Sequence, residues 1–177
     1  MATTYYPQLV QGLPPTEFEI TWRTHPSGPF ESIAGLRYQT ASHLIHLSNP
    51  ACGDLRSSTQ ALSFTNFNIT GVPEVISGIV LQVNTQRNGR ATDEIIQLTY
   101  QGVAIGTNHV DYYTDTEGHL TLDNSATYGS STDTWGVDLT PAMLQNPSFG
   151  VILKFQSHPY YPHSSGMFID SVSLTVY

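Results

Sequence analysis

The chain places apolar and polar residues in alternation over short runs. Phe18, Ile20 and Trp22 alternate with Glu19, Thr21 and Arg23, the two-residue period of a strand with one face buried. His43, Ile45 and Leu47 repeat the pattern more weakly. Beyond residue 60 it strengthens. Leu62, Phe64, Phe67 and Ile69 read as a strand with a bulge, and Ile79, Leu81 and Val83 share one face with Val80, Gln82 and Asn84 on the other. Asn88-Gly89 comes next, the dipeptide best suited to a two-residue hairpin turn, and it predicts a returning strand over residues 93–101 with Ile96, Leu98 and Tyr100 on one face. Gln101-Gly102 predicts a second tight turn, into residues 103–105.

Residues 107–135 are rich in Asp, Asn, Ser, Thr, Gly and Tyr and read as loops around one short strand at 119–123. Thr140-Pro141 is a helix start, with Thr as N-cap and Pro at the first helical position, and Asn146-Pro147 closes it within a turn. Phe149, Val151, Leu153 and Phe155 form a strong strand. Phe168, Val172, Leu174 and Val176 form the last one, broken on that face by Asp170. No apolar pattern of helical period runs for ten residues. The expected fold is all-β, an antiparallel β-sandwich of jelly-roll type with one short helical turn near 140–145. Pro7, Pro14 and Pro15 punctuate residues 1–16, which read as an extended arm, and residues 48–60 read as a long loop. The chain thus divides into an N-terminal arm with an irregular β segment at 1–60, expected to serve attachment, and a jelly-roll domain at 61–177.

Composition narrows the function classes. The 177 residues carry 39% hydrophobic and only 11% charged residues, with 10 Tyr, 7 Phe and 2 Trp to build a core, so disorder is not expected. No apolar run reaches the roughly 20 residues that span a bilayer, and no charged-then-apolar segment opens the sequence, so neither membrane insertion nor export is expected. The formal charge is −8, with Arg87 and Arg90 as the one close basic pair and Lys154 as the single lysine. Nucleic-acid binding needs a basic cluster to displace counterions and is not expected. Charge is uneven: residues 1–63 hold three arginines against four acids, a net of −1, and the remainder supplies −7. A lone Cys52 excludes an internal disulfide and a four-cysteine zinc site.

Several segments recur together in a fixed order. They are an I-x-G-I-x-x-x-V strand at residues 76–83, a D-x-x-x-x-L strand at 93–98, and G-x-x-x-G-x-N at 102–108. A Y-G-x-x-x-D-x-W-G loop at 128–136, F-G-V at 149–151 and D-x-V-x-x-x-V-Y at 170–177 follow. This set resembles a jelly-roll module of bacteriophage virion proteins and some bacterial surface proteins, over about residues 62–177. Where that module often carries a second glycine after Tyr-Gly, this chain has Ser130. The resemblance implies a structural or recognition module in a virion, with no catalytic residues to carry over.

Each candidate site also has a plain structural role. Tyr128, Asp133 and Trp135 could stack on and hydrogen-bond a sugar, but a large aromatic near a strand start more often plugs the end of a sandwich. Asp93 and Asp170, with Asn108, lack the six to eight oxygens calcium takes, so structural pairing is expected. His43 and His46 fall on opposite faces of a strand and cannot chelate together. His158, Tyr160, Tyr161 and His163 sit in a loop stiffened by Pro159 and Pro162, a contact patch rather than a zinc site. There is no G-x-S-x-G elbow, and Asp111, Asp115, Glu117 and Asp123 are loop carboxylates without a fixed partner, so hydrolysis is not expected.

The expectation is a non-enzymatic phage virion protein without metal or cofactor, assembled in the host cytoplasm, and foremost a capsid decoration (cement) protein. Its partners would be capsid or tail proteins and further copies of itself, a trimer being favoured. The alternative is a carbohydrate-binding tail or fibre module recognising a host surface glycan.

Overall fold

The computed structural model describes residues 2–14, 19–20, 22–25, 37–40, 58–88, 91–110, 122–157 and 166–177. In chain order the strands are β1 (Thr3–Tyr5), β2 (Leu9–Gly12), β3 (Glu19–Ile20), β4 (Trp22–His25), β5 (Arg37–Thr40), β6 (Ser58–Thr59) and β7 (Leu62–Thr65). There follow β8 (Ile79–Asn88), β9 (Ala91–Tyr100), β10 (Val103–Ile105), β11 (Leu122–Gly129), the helical turn α1 (Pro141–Leu144), β12 (Gly150–Ser157) and β13 (Gly166–Val176). Sheet A runs β11-β8-β13-β5-β4 with β1 also on β13; sheet B runs β10-β9-β12-β6-β3 with β7 on β12 and β2 on β7. All described pairings are antiparallel except β3 with β6. This is the expected all-β sandwich of jelly-roll type.

Successive long strands alternate between the sheets: β7 in B, β8 in A, β9 in B, β11 in A, β12 in B and β13 in A. That corrects the hairpin expected at Asn88-Gly89. β8 pairs with β11 and β13, β9 pairs with β10 and β12, and no register joins β8 to β9 among the described residues. Gly89 itself lies outside those residues. The apolar faces of β8 and β9 meet across the core instead of lying side by side. The two-residue hairpin falls at Gln101-Gly102, where both φ angles are positive (53° and 77°) and Val103 pairs with Tyr100.

Between the sheets, Ile79, Leu81, Val83, Ile169, Val172, Leu174 and Val176 of sheet A bury against Leu62, Phe64, Ile96, Leu98, Val151, Leu153 and Phe155 of sheet B. Gly150 lets β12 close on β7, since a Cβ there would lie 1.9 Å from the Phe64 carbonyl oxygen. The expected strand through Ile69 ends at Thr65. Asn66 and Asn68 take left-handed φ values of 55° and 52°, which Asn tolerates, and Phe67 and Ile69 still bury. Residues 124–129, expected as loop, belong to β11; among its described side chains Ala126 and Tyr128 pack on the core. Thr140 caps α1 as expected, its Oγ1 accepting from Met143 N at 3.2 Å.

The N-terminal residues are not an appended arm. β1 adds to β13 (Thr3 opposite Val176, Tyr5 opposite Leu174) and β2 adds to β7 (Leu9 opposite Thr65, Gly12 opposite Leu62). The segment straps both sheets, with Pro7 buried at the crossing and Tyr5 and Val10 packed on the core. Each strand is too short to display alternation, so the prolines dominated the sequence pattern. The expected strand at 43–47 and the loop at 48–57 lie outside the described residues.

Removing residues 2–12 should therefore destabilise the sandwich by about 2 kcal/mol or more, because the partly buried Tyr5 and Val10 and the buried Pro7 leave the core together, and full burial of a single Val-sized side chain contributes about 1.5–3 kcal/mol. The melting temperature should fall by roughly 4 °C or more. A truncated chain that melts with the full-length protein would show that the strap contributes nothing to folding.

Candidate functional site

The segment from Tyr128 to Val137 turns back over the start of β8 and closes one end of the sandwich. Gly129 makes the turn possible: its φ is 74°, and a Cβ would lie 2.4 Å from the Ile79 carbonyl oxygen and 2.7 Å from Trp135 Nε1. Ser130, in place of a second glycine, accepts from Thr132 N through its Oγ at 3.2 Å. Asp133 Oδ1 accepts from Trp135 N at 2.7 Å, and the Asp133 carbonyl accepts from Ile79 N at 2.9 Å. Trp135 Nε1 donates to the Ile79 carbonyl at 3.0 Å, so one residue of β8 is held at both its backbone groups.

Trp135 is fully buried and sits at φ 58°, a left-handed conformation that costs a bulky residue about 1–3 kcal/mol and persists only where its surroundings impose it. Those surroundings come from residues 102–109. The Trp135 carbonyl accepts from Thr107 N at 2.7 Å, and His109 stands edge-on to the indole with centroids 4.2 Å apart. His109 Nε2 lies 3.2 Å from Asp133 Oδ2. Asn108 fills the bulge that β9 makes against β12: Oδ1 accepts from Ile96 N at 2.8 Å and Nδ2 donates to the Glu94 carbonyl at 3.2 Å. Tyr128 points inward, its hydroxyl donating to Asp93 Oδ2 at 2.7 Å.

Tyr128, Asp133 and Trp135 are thus brought together, with Tyr128 and Trp135 facing inward and the Asp133 carboxylate half-buried at the rim beside His109. No face of the indole is open to stack on a ligand, and Asp133 is engaged with the loop and with His109. His158, Tyr160, Tyr161 and His163 lie outside the described residues, as do His43, His46, Asp111, Asp115 and Glu117; Asp123 falls in β11 and Asp170 at the irregularity of β13. Among the described residues no three His, Cys, Asp or Glu side chains gather to hold a metal ion. Sequence reading missed His109; its position directly after the Gly102 to Asn108 motif was the available signal.

The sandwich offers two outer faces of different chemistry. Sheet B carries Ile152 and the Lys154–Glu94 ion pair (2.9 Å). The described rows of sheet A, by strand register, carry Thr4, Thr175, Val80, Ser173, Gln82, Thr127, Ser171 and Asn84.

No protein-family model matches the chain. No curated protein matches it either. Solved structures do match in fold. CBM27-1 of Caldicellulosiruptor saccharolyticus, solved in complex with mannohexaose, aligns with a TM-score of 0.51 at 4% identity over 98% of this chain and 96% of that one. The xylan-binding domain CBM22-1 of Paenibacillus barcinonensis Xyn10C aligns at 0.37 with 9% identity, covering 98% and 92%. The second N-terminal cellulose-binding domain of Cellulomonas fimi β-1,4-glucanase C aligns at 0.36 with 14% identity, covering 87% and 84%. At these identities the likeness is one of fold.

Truncation of side chains within the segment from Tyr128 to Val137 should act on stability. Trp135→Ala should cost about 3–5 kcal/mol, and Tyr128→Phe, which strips the buried Asp93 of one donor, about 1–3 kcal/mol. Urea denaturation measures both. A Trp135→Ala protein with an unchanged midpoint would mean that the ring is not part of the core.

Proposed function

We propose that this chain is a non-catalytic carbohydrate-binding module that recognises a glycan on a surface. The observation that carries this reading is the fold likeness to CBM27-1, which spans nearly the whole of both chains and whose structure holds a bound oligosaccharide. The engagement of Asp93 by Tyr128 and of Asp133 by Trp135 N agrees with it, because these carboxylates hold the fold. Fold alone does not fix function, so the reading rests on its test.

The setting we propose is a phage virion, in a tail or fibre, where copies of the module would form a homo-oligomer, a trimer being favoured. Its support is the ordered motif set of residues 62–177. That same set, with the low charge of 11%, also supports the capsid-decoration reading, since interface cores are depleted of charge.

Affinity electrophoresis of the purified chain through gels containing mannan, xylan or β-glucan separates these readings. Retardation by at least one polysaccharide, with no release of reducing sugar, is the expected outcome. A chain that migrates freely through all three and instead co-sediments with undecorated capsids belongs to the decoration reading.

A further inference from the structure

We propose that this chain forms a two-fold dimer in which β2 pairs antiparallel with β2 of a second copy, joining their B sheets edge to edge. The inference goes beyond the carbohydrate-binding reading and does not depend on it. β2 lies at the end of sheet B, and among the described residues β7 is its one strand neighbour. Register fixes which backbone groups that neighbour uses. Leu9 stands opposite Thr65 and Gln11 opposite Ser63, and Leu13 N donates to the Ala61 carbonyl at 2.9 Å in the same series. Bonded and non-bonded pairs alternate along an antiparallel ladder. Leu9, Gln11 and Leu13 therefore bond to the β7 side, and Val10 and Gly12 turn their N–H and C=O groups to the open edge.

Such an edge is a template for a further strand, and proteins usually blunt it with charge, proline or a bulge. Here residues 2–14 carry no charged side chain, although the chain as a whole holds −8. Leu9 is 51% exposed, and Gln11 and Gly12 are exposed as well. Pro7 and Pro14 bracket the strand, so they limit a ladder without blocking its middle. The opposite edge of sheet B differs. The two-residue turn at Gln101-Gly102 makes Tyr100 and Val103 a bonded pair, so in β10 only Ala104 turns its backbone outward. One residue cannot sustain a ladder.

Charge selects the occupant. A second copy brings the same −8, and like charges repel wherever acidic surfaces meet, so an uncharged strand is where two copies can approach. A basic partner would instead be drawn to the acidic remainder, which supplies −7 beyond residue 63. Register agrees. With Gln11 on the two-fold axis, Val10 of each copy faces Gly12 of the other, and each such pair can exchange both backbone bonds. Leu9 then meets Leu13 of the second copy on one face, and the two Gln11 amides meet between them. The exposed leucine is covered by apolar surface, and each amide finds a group that both gives and accepts. Pro14 falls opposite Gln8 and has no N–H to give, so the ladder ends there. The contact is small beside standard interfaces, and a Kd of roughly 10–100 µM is expected. A two-fold contact closes on itself and makes pairs; the trimer favoured above would need a different surface. Joined in this way, two modules present the same face of sheet B on one side, which suits attachment to a surface with repeated sites.

Sedimentation velocity of the full chain over a concentration series tests the pairing. Wild type should pass from monomer to dimer, and added salt should favour the dimer by screening the repulsion between copies. Gln11→Glu and Gln11→Lys each set like charges face to face and should weaken the dimer about fivefold or more. An equimolar mixture of the two variants should associate at least as tightly as wild type, because Glu then meets Lys. Recovery in the mixture separates a lost contact from a lost fold. Val103→Glu, at the other edge of sheet B, should leave association unchanged. A wild type that stays monomeric, or that forms trimers, overturns the inference. So does a dimer indifferent to both Gln11 variants, or a mixture no tighter than either variant alone. Dissociation by Val103→Glu with no effect at Gln11 places the contact at β10 and overturns it as well. Retardation of a monomer by polysaccharide would leave the carbohydrate-binding reading standing without the dimer.

Discussion

Everything at the closed end of the sandwich depends on one residue of β8 being held from both sides. Ile79 gives its N–H to the Asp133 carbonyl and takes the Trp135 indole N–H on its own carbonyl. A buried backbone group left unpaired is costly, so these two bonds fix where the 128–137 segment lies. The indole then fills the space that this segment and residues 106–109 enclose. Positive φ angles at Gly106, Gly129, Trp135 and Gly136 are the geometric cost of the closure. The strain at Trp135 persists because burial of the ring outweighs it.

The ordered motifs between residues 76 and 177 thus include the residues that close the fold. Tyr128 with Asp93, Gly129 against Ile79, Asp133 with Trp135, and Asn108 in the bulge of β9 all act inward. A motif set of this kind identifies an architecture. On β8 and β13, Leu81, Val83, Val172 and Leu174 face the core, while Gln82, Asn84, Ser171 and Ser173 lie on the other side of the sheet.

The N-terminal strap links the two sheets more directly than the later crossovers do. β1 lies beside the C-terminal strand and β2 beside β7, so the first dozen residues and the last ten belong to one structural unit. An attachment role for this segment would have to operate through its outward side, where Tyr6 and Leu9 are exposed. On one side its backbone hydrogen bonds are committed to β13 and β7.

The strand class, the Thr140-capped turn and most of the core were legible in the sequence, because a two-residue alternation states which side chains are buried whatever the partner strand. Periodicity does not state the partner. Asn88-Gly89 satisfied the local rule for a hairpin, yet the two flanking strands face each other across the core, since each buries its apolar face against the opposite sheet. Gln101-Gly102, which reads no more strongly, makes the actual two-residue turn. Residues 124–129 read as loop because a strand with few apolar residues shows little alternation, and residues 3–12 read as an arm because strands this short show no period. Local composition likewise made Trp135 both a plug and a sugar platform. Only the tertiary structure chose, by placing its N–H on the Ile79 carbonyl and leaving no face of the ring in solvent. The sequence by itself determined which residues avoid water. Their neighbours in space, many of them distant in the chain, decided which sheet each strand joined and which polar groups remained outside.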